Sequence, residues 1–383
     1  MNARFARFVF LLVIGSALIG YLRGKQPAQP GVASDPPART SAEAPKDAAA
    51  APVVVSDLRM VDEKAGWALK EQQDEARVNL LRTQDGGLTW KETMPPNVGA
   101  MPANCIFTTG AQSAWVAEDQ AGGILLYRTA DGGANWEVSS VPVRGEPQFS
   151  FIDAQHGWLL LHQGVAAGSE AVTLLKTEDG GATWTQVAMA QPQDGSSDSL
   201  PFGGDKTGVS FRNATDGWLT GYSPVTGSIY LFNSRDGGRT WMPQTVAVPD
   251  VFREVMLTSR PPVFVSAQDG YMAAEFAGVK LSFLLYATHD GGQTWSPLNV
   301  PVSGTDRRLV WDFVDSSHGF IANGEELYRT EDGGANWKSV SSGSTLKDIT
   351  RLDFVSPQVG WAVSKKSVVK TTDGGLTWTP VAP

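Results

Sequence analysis

Acidic residues that could act as acids, bases or cation ligands stand in short glycine-rich segments of this sequence. One of them, RTEDGGANW, runs from Arg329 to Trp337 and places Asp332 directly before two glycines. A single loop of this kind could hold a catalytic carboxylate or a metal ligand. The segment has further copies at 82–90, 128–136, 176–184, 233–241, 287–295 and 370–378. Because a catalytic loop is needed once, this repetition indicates an architectural part.

Each copy supplies one aspartate and one tryptophan. The aspartates are Asp85, Asp131, Asp179, Asp236, Asp290, Asp332 and Asp373, and the tryptophans are Trp90, Trp136, Trp184, Trp241, Trp295, Trp337 and Trp378. The carboxylate can accept backbone N–H bonds within its own turn, and the glycines allow positive φ. A metal site needs several converging oxygens, whereas one carboxylate per repeat keeps them apart. We therefore predict structural turns, with no catalytic residue, no cofactor and no metal site.

A second phrase precedes the repeated segment and carries Gly-aromatic at its end. It reads FIDAQHGW at 151–158 and FVDSSHGF at 313–320, and it is weaker at 107–115, where the sequence is FTTGAQSAW. Short apolar stretches separate the two phrases, and the body shows no helical period. The aspartates recur at intervals of 46, 48, 57, 54, 42 and 41 residues. Seven units of four strands predict an all-β, seven-bladed β-propeller over residues 53–383.

Tryptophan usage agrees with this repeat. Of the 13 tryptophans, seven end the Asp segments and five stand at the second-strand position, namely Trp67, Trp115, Trp158, Trp218 and Trp361. Only Trp311 falls outside both sets. A regular stripe of large aromatic residues is typical of a core, so we expect these side chains to pack between and within the blades.

The first 52 residues differ from the body. An apolar run from Phe8 to Leu22 lies between arginines, and residues 24–52 are rich in proline and alanine without apolar periodicity. The run predicts a signal-anchor or a signal peptide over residues 1–23, and the following segment predicts a disordered linker. We expect an extracytoplasmic protein held at the membrane, or a secreted one if the signal is cleaved.

Charge and cysteine content exclude several classes of function. The net charge is −9, and residues 51–383 carry 25 basic and 37 acidic residues, or −12. An acidic body argues against nucleic-acid binding, which needs a basic face. The single cysteine, Cys105, allows neither an internal disulfide nor a cysteine-based metal site.

The repeated segment matches the Asp-box pattern S/T-x-D-x-G-x-T/S/N-W. Together with F-x-D-x-x-x-G-W, it makes residues 53–383 resemble the photosystem II stability and assembly factor-like propellers. The resemblance implies a non-enzymatic scaffold outside the cytoplasm that binds other proteins. In photosynthetic members of that family, the partner is a newly made photosystem subunit. Our first hypothesis is therefore a protein-binding assembly or stability factor for a membrane complex.

The alternative is a carbohydrate-binding or glycan-hydrolysing propeller, because sialidases and some glucanases also carry Asp boxes. Hydrolysis needs two carboxylates about 5–9.5 Å apart. Candidate carboxylates are Glu71, Asp74, Glu118, Asp119, Glu275, Asp312 and Glu325. The Arg-Ile-Pro phrase of sialidases is absent from this sequence, and the tryptophans are used by the repeat. These features favour the scaffold.

Connections between strands are the natural places for a partner site. The longest lie at 190–206 and 248–264, and the hairpins at 70–79 and 118–123 are also lengthened. Residues chosen as candidate partner contacts are Phe252, Arg253, Arg260, Arg307 and Arg308.

Overall fold

The computed structural model describes residues 54–72, 77–166, 168–191, 200–276, 282–301, 309–323, 326–340, 346, 348–364 and 367–381. The predicted anchor and linker, residues 1–52, lie outside these ranges. Within them the fold is all-β, which confirms the predicted class, and none of the helices there has the length and apolarity to cross a membrane.

The strands within the described ranges form six sheets. Sheet 1 contains β1 Val55–Met60, β2 Gly66–Glu71, β3 Val78–Thr83 and β4 Lys91–Glu92; sheet 2 contains β5 Ile106–Thr109, β6 Ser113–Gln120, β7 Gly123–Thr129 and β8 Glu137–Val141. Sheet 3 contains β9 Glu146–Phe151, β10 Gly157–Ala166, β11 Ser169–Thr177 and β12 Thr185–Ala190. Sheet 4 contains β13 Asp205–Phe211, β14 Gly217–Thr226, β15 Leu231–Ser234, β16 Met242–Pro243, β17 Met256–Ser259, β18 Val263–Phe264, β19 Gly270–Phe276, β20 Ser282–Thr288 and β21 Ser296–Pro297. Sheet 5 contains β22 Leu309–Phe313, β23 Gly319–Asn323, β24 Glu326–Thr330 and β25 Lys338–Val340; sheet 6 contains β26 Ile349–Phe354, β27 Gly360–Ser364, β28 Val368–Thr371 and β29 Thr379–Val381.

Sheets 1, 2, 3, 5 and 6 are four-stranded antiparallel meanders in which each strand pairs with the next in the chain. Sheet 4 is longer because β17 joins two such meanders. Its strands β13–β16 and β18–β21 each carry one Asp box, and β17 pairs with β14 on one side and β19 on the other. The sequence did not predict this extra strand, which lies in the insertion at 248–264.

The glycine of the second phrase makes room for the aromatic residue of the first strand. Phe151 pairs in register with Gly157, and a Cβ on that glycine would lie 2.3 Å from the phenyl ring. The next residue, Trp158, reaches the neighbouring sheet and stacks on Phe211 with 3.7 Å between ring centroids. Phe151 in turn stacks on Trp115 of the preceding sheet, with 3.9 Å between ring centroids. The F…GW pattern therefore presents its phenylalanine to the sheet before and its tryptophan to the sheet after.

The hydrophobic core lies between sheets. Buried clusters join sheets 1 and 2, sheets 2 and 3, sheet 3 and the first half of sheet 4, and the two halves of sheet 4. Further clusters join the second half of sheet 4 to sheet 5, sheet 5 to sheet 6, and sheet 6 back to sheet 1. Each sheet thus covers a face of the next, and the series closes on itself in the manner of a propeller.

Antiparallel pairing gives the ring two distinct edges. The turn between the first two strands of a sheet and its Asp box lie at the same end, as in sheet 1, where the Gly86 amide donates to the Lys64 carbonyl at 2.8 Å. We call this end the box edge. The hairpins between second and third strands and the connections to the next sheet lie at the opposite end, which we call the loop edge. Because β1 runs towards the box edge, residue 55 begins at the loop edge.

Candidate functional site: Asp boxes and the loop edge

Each Asp box is a closed set of hydrogen bonds. In the box at 329–337, the Thr330 hydroxyl donates to one carboxylate oxygen of Asp332 at 2.8 Å and accepts the Gly334 amide at 2.8 Å. The Asn336 backbone amide donates to that same oxygen, and its side-chain amide donates to the other, both at 2.8 Å. Both carboxylate oxygens are therefore occupied within the turn. Gly334 has φ +97°, a backbone conformation that favours glycine.

The same geometry recurs in all the boxes. The Thr or Ser hydroxyl two residues before each aspartate donates to its carboxylate at 2.8–2.9 Å. Hydrogen bonds from the side chain and then the backbone of Asn336 lower the pKa of Asp332 to about 2. Thr89 similarly lowers the pKa of Asp85 to about 2. The seven aspartates are exposed or half-buried, and each carboxylate is ionised and paired within its own turn, so they do not form a shared catalytic centre.

Three of the five second-strand tryptophans attach their sheet to the Asp box of the next sheet. The Trp115 indole donates to the Gly180 carbonyl at 2.7 Å, and the Trp158 indole donates to the Gly237 carbonyl at 2.9 Å. The Trp361 indole donates to the Gly86 carbonyl at 3.1 Å. The sequence predicted that these rings are buried, but it did not reveal their hydrogen bonds to the next box.

The carboxylates considered for glycan hydrolysis are mostly engaged in local contacts. Glu118 accepts the Tyr127 hydroxyl, and Asp119 is held by Arg144 at 2.7 Å. Asp312 accepts a backbone amide at 2.6 Å. Glu275 is bound by Arg260, Glu71 is exposed, and Asp74 and Glu325 lie outside the described residues. Within the described ranges, no group of three or more acidic, histidine or cysteine side chains could hold a metal ion.

The residues chosen as partner contacts have different environments. Phe252 is half-buried and packs on Phe276, with 5.1 Å between ring centroids. The guanidinium of Arg260 pairs with Glu275 at 2.8 Å, and its side chain is only 16% exposed. Arg253 is 68% exposed and pairs with Asp250 at 2.7 Å. Arg307 and Arg308 lie outside the described residues, so the predicted arginine grouping has no described geometry.

An exposed apolar surface lies beside Arg253 at the loop edge. It consists of Val251 and Met256, which are 80% and 46% exposed, and we call it the β14–β17 surface. The end of β14 supports it, because Thr226 pairs in register with Met256. The apolar residues within the insertion at 248–264 were its only sequence signal.

A buried lysine fixes the end of the other long insertion. The Lys206 ammonium donates to the carbonyls of Phe202 at 2.8 Å and Gly204 at 2.9 Å, and more weakly to two others. Its backbone amide donates to the Glu170 carboxylate, which also contacts His162. Burial lowers the pKa of Lys206 to about 8. These bonds hold residues 202–206 against the β10–β11 hairpin.

Comparisons with known proteins agree with these repeats. The profile of the family described as "Photosynthesis system II assembly factor YCF48" matches residues 196–351. The curated "Photosystem II assembly lipoprotein Ycf48" of Synechococcus sp. (strain CC9902) is 25% identical over 175 residues. The solved structure "YCF48 bound to D1 peptide" has a TM-score of 0.53, with 17% identity over 84% of this chain and 92% of that one. The chain is therefore similar to Ycf48 proteins in its Asp-box repeats and in its propeller fold.

The resemblance expected from the repeats is thus confirmed. The match to the Synechococcus protein covers 45% of this chain and 43% of that protein's length. A solved structure of an ancestral GH74 enzyme also has a TM-score of 0.53, but it is only 13% identical, over 86% of this chain and 46% of that one. Similarity at this level shows the fold alone.

Proposed function

We propose that this chain is a non-enzymatic, extracytoplasmic scaffold that binds another protein and assists the assembly or stability of a membrane complex. The similarity to Ycf48 proteins carries the proposal, because one relative is described as a photosystem II assembly lipoprotein and another is bound to a D1 peptide. The local pairing of the Asp-box carboxylates supports a structural role for the repeat.

The proposed architecture is a seven-bladed propeller. Sheets 1, 2, 3, 5 and 6 supply one blade each, and the two halves of sheet 4 supply one blade each. One Asp box per blade and one core cluster at each junction between blades support this count.

We also propose that residues 1–23 are a signal-anchor, that residues 24–52 are a linker and that the propeller begins at residue 53. N-terminal sequencing of the membrane-bound protein tests this: retention of residues 1–23 supports an anchor, and a start beyond them indicates a cleaved signal.

The β14–β17 surface is the proposed contact for the partner. Its exposed apolar side chains suit a peptide segment with apolar residues, and among residues 250–256 the acids Asp250 and Glu254 outnumber the one cation, Arg253. We therefore expect a partner segment that is apolar and carries at least one basic residue. Arg253 and Phe252, at the border of the surface, remain candidate contacts.

Crosslinked capture of the full-length protein from its own membranes tests this function. The wild type is compared with a Val251→Glu, Met256→Glu double variant, and Val138→Glu is the matched control because Val138 is 59% exposed on sheet 2. We expect one membrane protein near stoichiometry with the wild type and the control, and its loss with the double variant. Equal capture by all three proteins would refute this contact site, and no enriched protein partner would refute the scaffold.

A further inference from the structure

The junction between sheets 6 and 1 joins the two ends of the propeller. Every other junction is also crossed by the continuous chain, whereas this one is held only by non-covalent contacts. The Met60 amide donates to the Asp353 carboxylate at 2.5 Å, and the Trp361 indole donates to Gly86 at 3.1 Å. The strength of this seam therefore decides whether the ring stays closed.

The seam uses a hydrogen bond that recurs between the first strands of neighbouring sheets, but its acceptor is charged. Between sheets 3 and 4, the Phe211 amide donates to the neutral Ser150 hydroxyl at 3.0 Å. Between sheets 5 and 6, the Phe354 amide donates to the Asp312 carboxylate at 2.6 Å. Asp353 provides the same contact at the seam. A buried carboxylate has thus replaced a hydroxyl at two successive junctions.

Asp312 and Asp353 belong to a buried ionic cluster. They are 9% and 8% exposed, and they face Arg351 on β26 and residues Asp57 and Arg59 on β1. Asp57 pairs with Arg351 at 3.3 Å, while Arg59 donates to a sheet 2 carbonyl at 3.0 Å. Asp312 acts on Asp353 as a like charge when both carboxylates are ionised. Burial makes such a pair of like charges unfavourable.

We propose that this seam cluster is an acid-strengthened closure of the ring, in which Asp353 takes up a proton in mild acid and thereby holds sheets 1 and 6 together more firmly. The protonated carboxyl still accepts the Met60 amide through its carbonyl oxygen. Protonation of Asp353 removes its repulsion from the Asp312 carboxylate and keeps the hydrogen bond that joins the strands. The seam is then tighter near pH 5 than near pH 7.5.

The direction of the effect follows from proton linkage. Burial, followed by the nearby Asp312 carboxylate, raises the pKa of Asp353 to about 6 against the opposing effect of Arg351. A carboxyl with a raised folded-state pKa binds a proton more tightly in the folded than in the unfolded chain. Its contribution to stability is full below about pH 4 and is lost as pH rises towards and through about 6. The Asp-box carboxylates have the opposite effect on stability, which falls with pH as they are protonated. Because their pKa values are lowered, this loss occurs only below about pH 4.

Urea unfolding of the full-length protein at pH 5 and pH 7.5 tests the closure. Asp353→Asn is nearly isosteric and retains an oxygen acceptor, but it cannot titrate. We compare the unfolding equilibrium constant of the wild type with that of Asp353→Asn as a ratio. As pH rises from 5 to 7.5, we expect this ratio to increase about tenfold. A ratio independent of pH would overturn the proposal.

A second variant keeps the test decisive if Asp353→Asn does not fold. Asp312→Asn leaves Asp353 titratable and removes the neighbouring like charge, so the pH midpoint of stability should move to lower pH.

Hydrogen exchange of the Met60 amide, corrected for its intrinsic rate, measures the opening of the seam directly. We expect greater protection at pH 5 than at pH 7.5 in the wild type. An unmoved midpoint or equal protection at both pH values would contradict the closure.

Discussion

Replacing Trp158 with phenylalanine tests whether the second-strand tryptophans hold neighbouring sheets together. The indole is fully buried, stacks on Phe211 and donates to the Gly237 carbonyl of the next Asp box at 2.9 Å. Phenylalanine retains an aromatic ring for stacking but removes the donor. An unsatisfied buried carbonyl costs about 1–3 kcal/mol, and the smaller ring adds about 1 kcal/mol. We therefore expect a loss of about 2–4 kcal/mol in the free energy of unfolding.

Urea unfolding followed by far-ultraviolet circular dichroism measures this loss without relying on tryptophan fluorescence. Trp311→Phe is the matched control, because Trp311 is half-buried, contacts Phe313 edge-on and lies outside the repeat. We expect the control to lose about 1 kcal/mol or less. Equal losses in the two variants would refute the idea that the indole N–H bond attaches one sheet to the next.

Three further predictions concern the boxes and the buried lysine. Asp332→Ala should lower the urea midpoint more than Glu331→Ala, because only the former removes the box hydrogen bonds; equal midpoints would contradict the structural role. Since the pKa of Asp332 is lowered to about 2, the stability that this carboxyl contributes is full above about pH 4 and is lost as pH falls towards 2. Acid unfolding of the wild type should show this loss. Asp332→Asn should lack the part of the loss that comes from Asp332. Lys206→Met should destabilise the protein by about 2–4 kcal/mol, because it leaves several carbonyls without a donor. Urea unfolding measures the loss, with Lys338→Met at an exposed position as the control. A smaller loss for Lys206→Met than for Lys338→Met would contradict a stabilising role of the Lys206 hydrogen bonds.

The sequence predicts the parts of this fold that depend on local patterns. Asp332 and its neighbours specify a turn within nine residues, and the apolar stretches on either side specify the strands that it joins. Gly157 also has a local reason, since Phe151 lies only six residues away across the first hairpin. Regular spacing of these signals was enough for the all-β class and for the Ycf48 resemblance.

Features that depend on distant parts of the chain were not predictable in the same way. The Met60–Asp353 hydrogen bond joins residues 293 positions apart. Asp312 was considered as a hydrolytic acid. Its role as a hydrogen-bond acceptor between the first strands of sheets 5 and 6 follows only from packing. The β14–β17 surface depends on an insertion strand that pairs with both halves of sheet 4. No short sequence pattern specifies which sheet such residues will meet.

Site-specific photocrosslinking tests the scaffold function most directly. A photoreactive amino acid is placed at position 251 of the full-length protein in its own membranes, and position 138 on sheet 2, which is also exposed, provides the control. The proposed function predicts one crosslinked membrane protein from position 251, none from position 138, and a crosslinked partner segment that is apolar and carries a basic residue. The same products from both positions, or no protein adduct at 251, would contradict the proposal that this surface binds the partner.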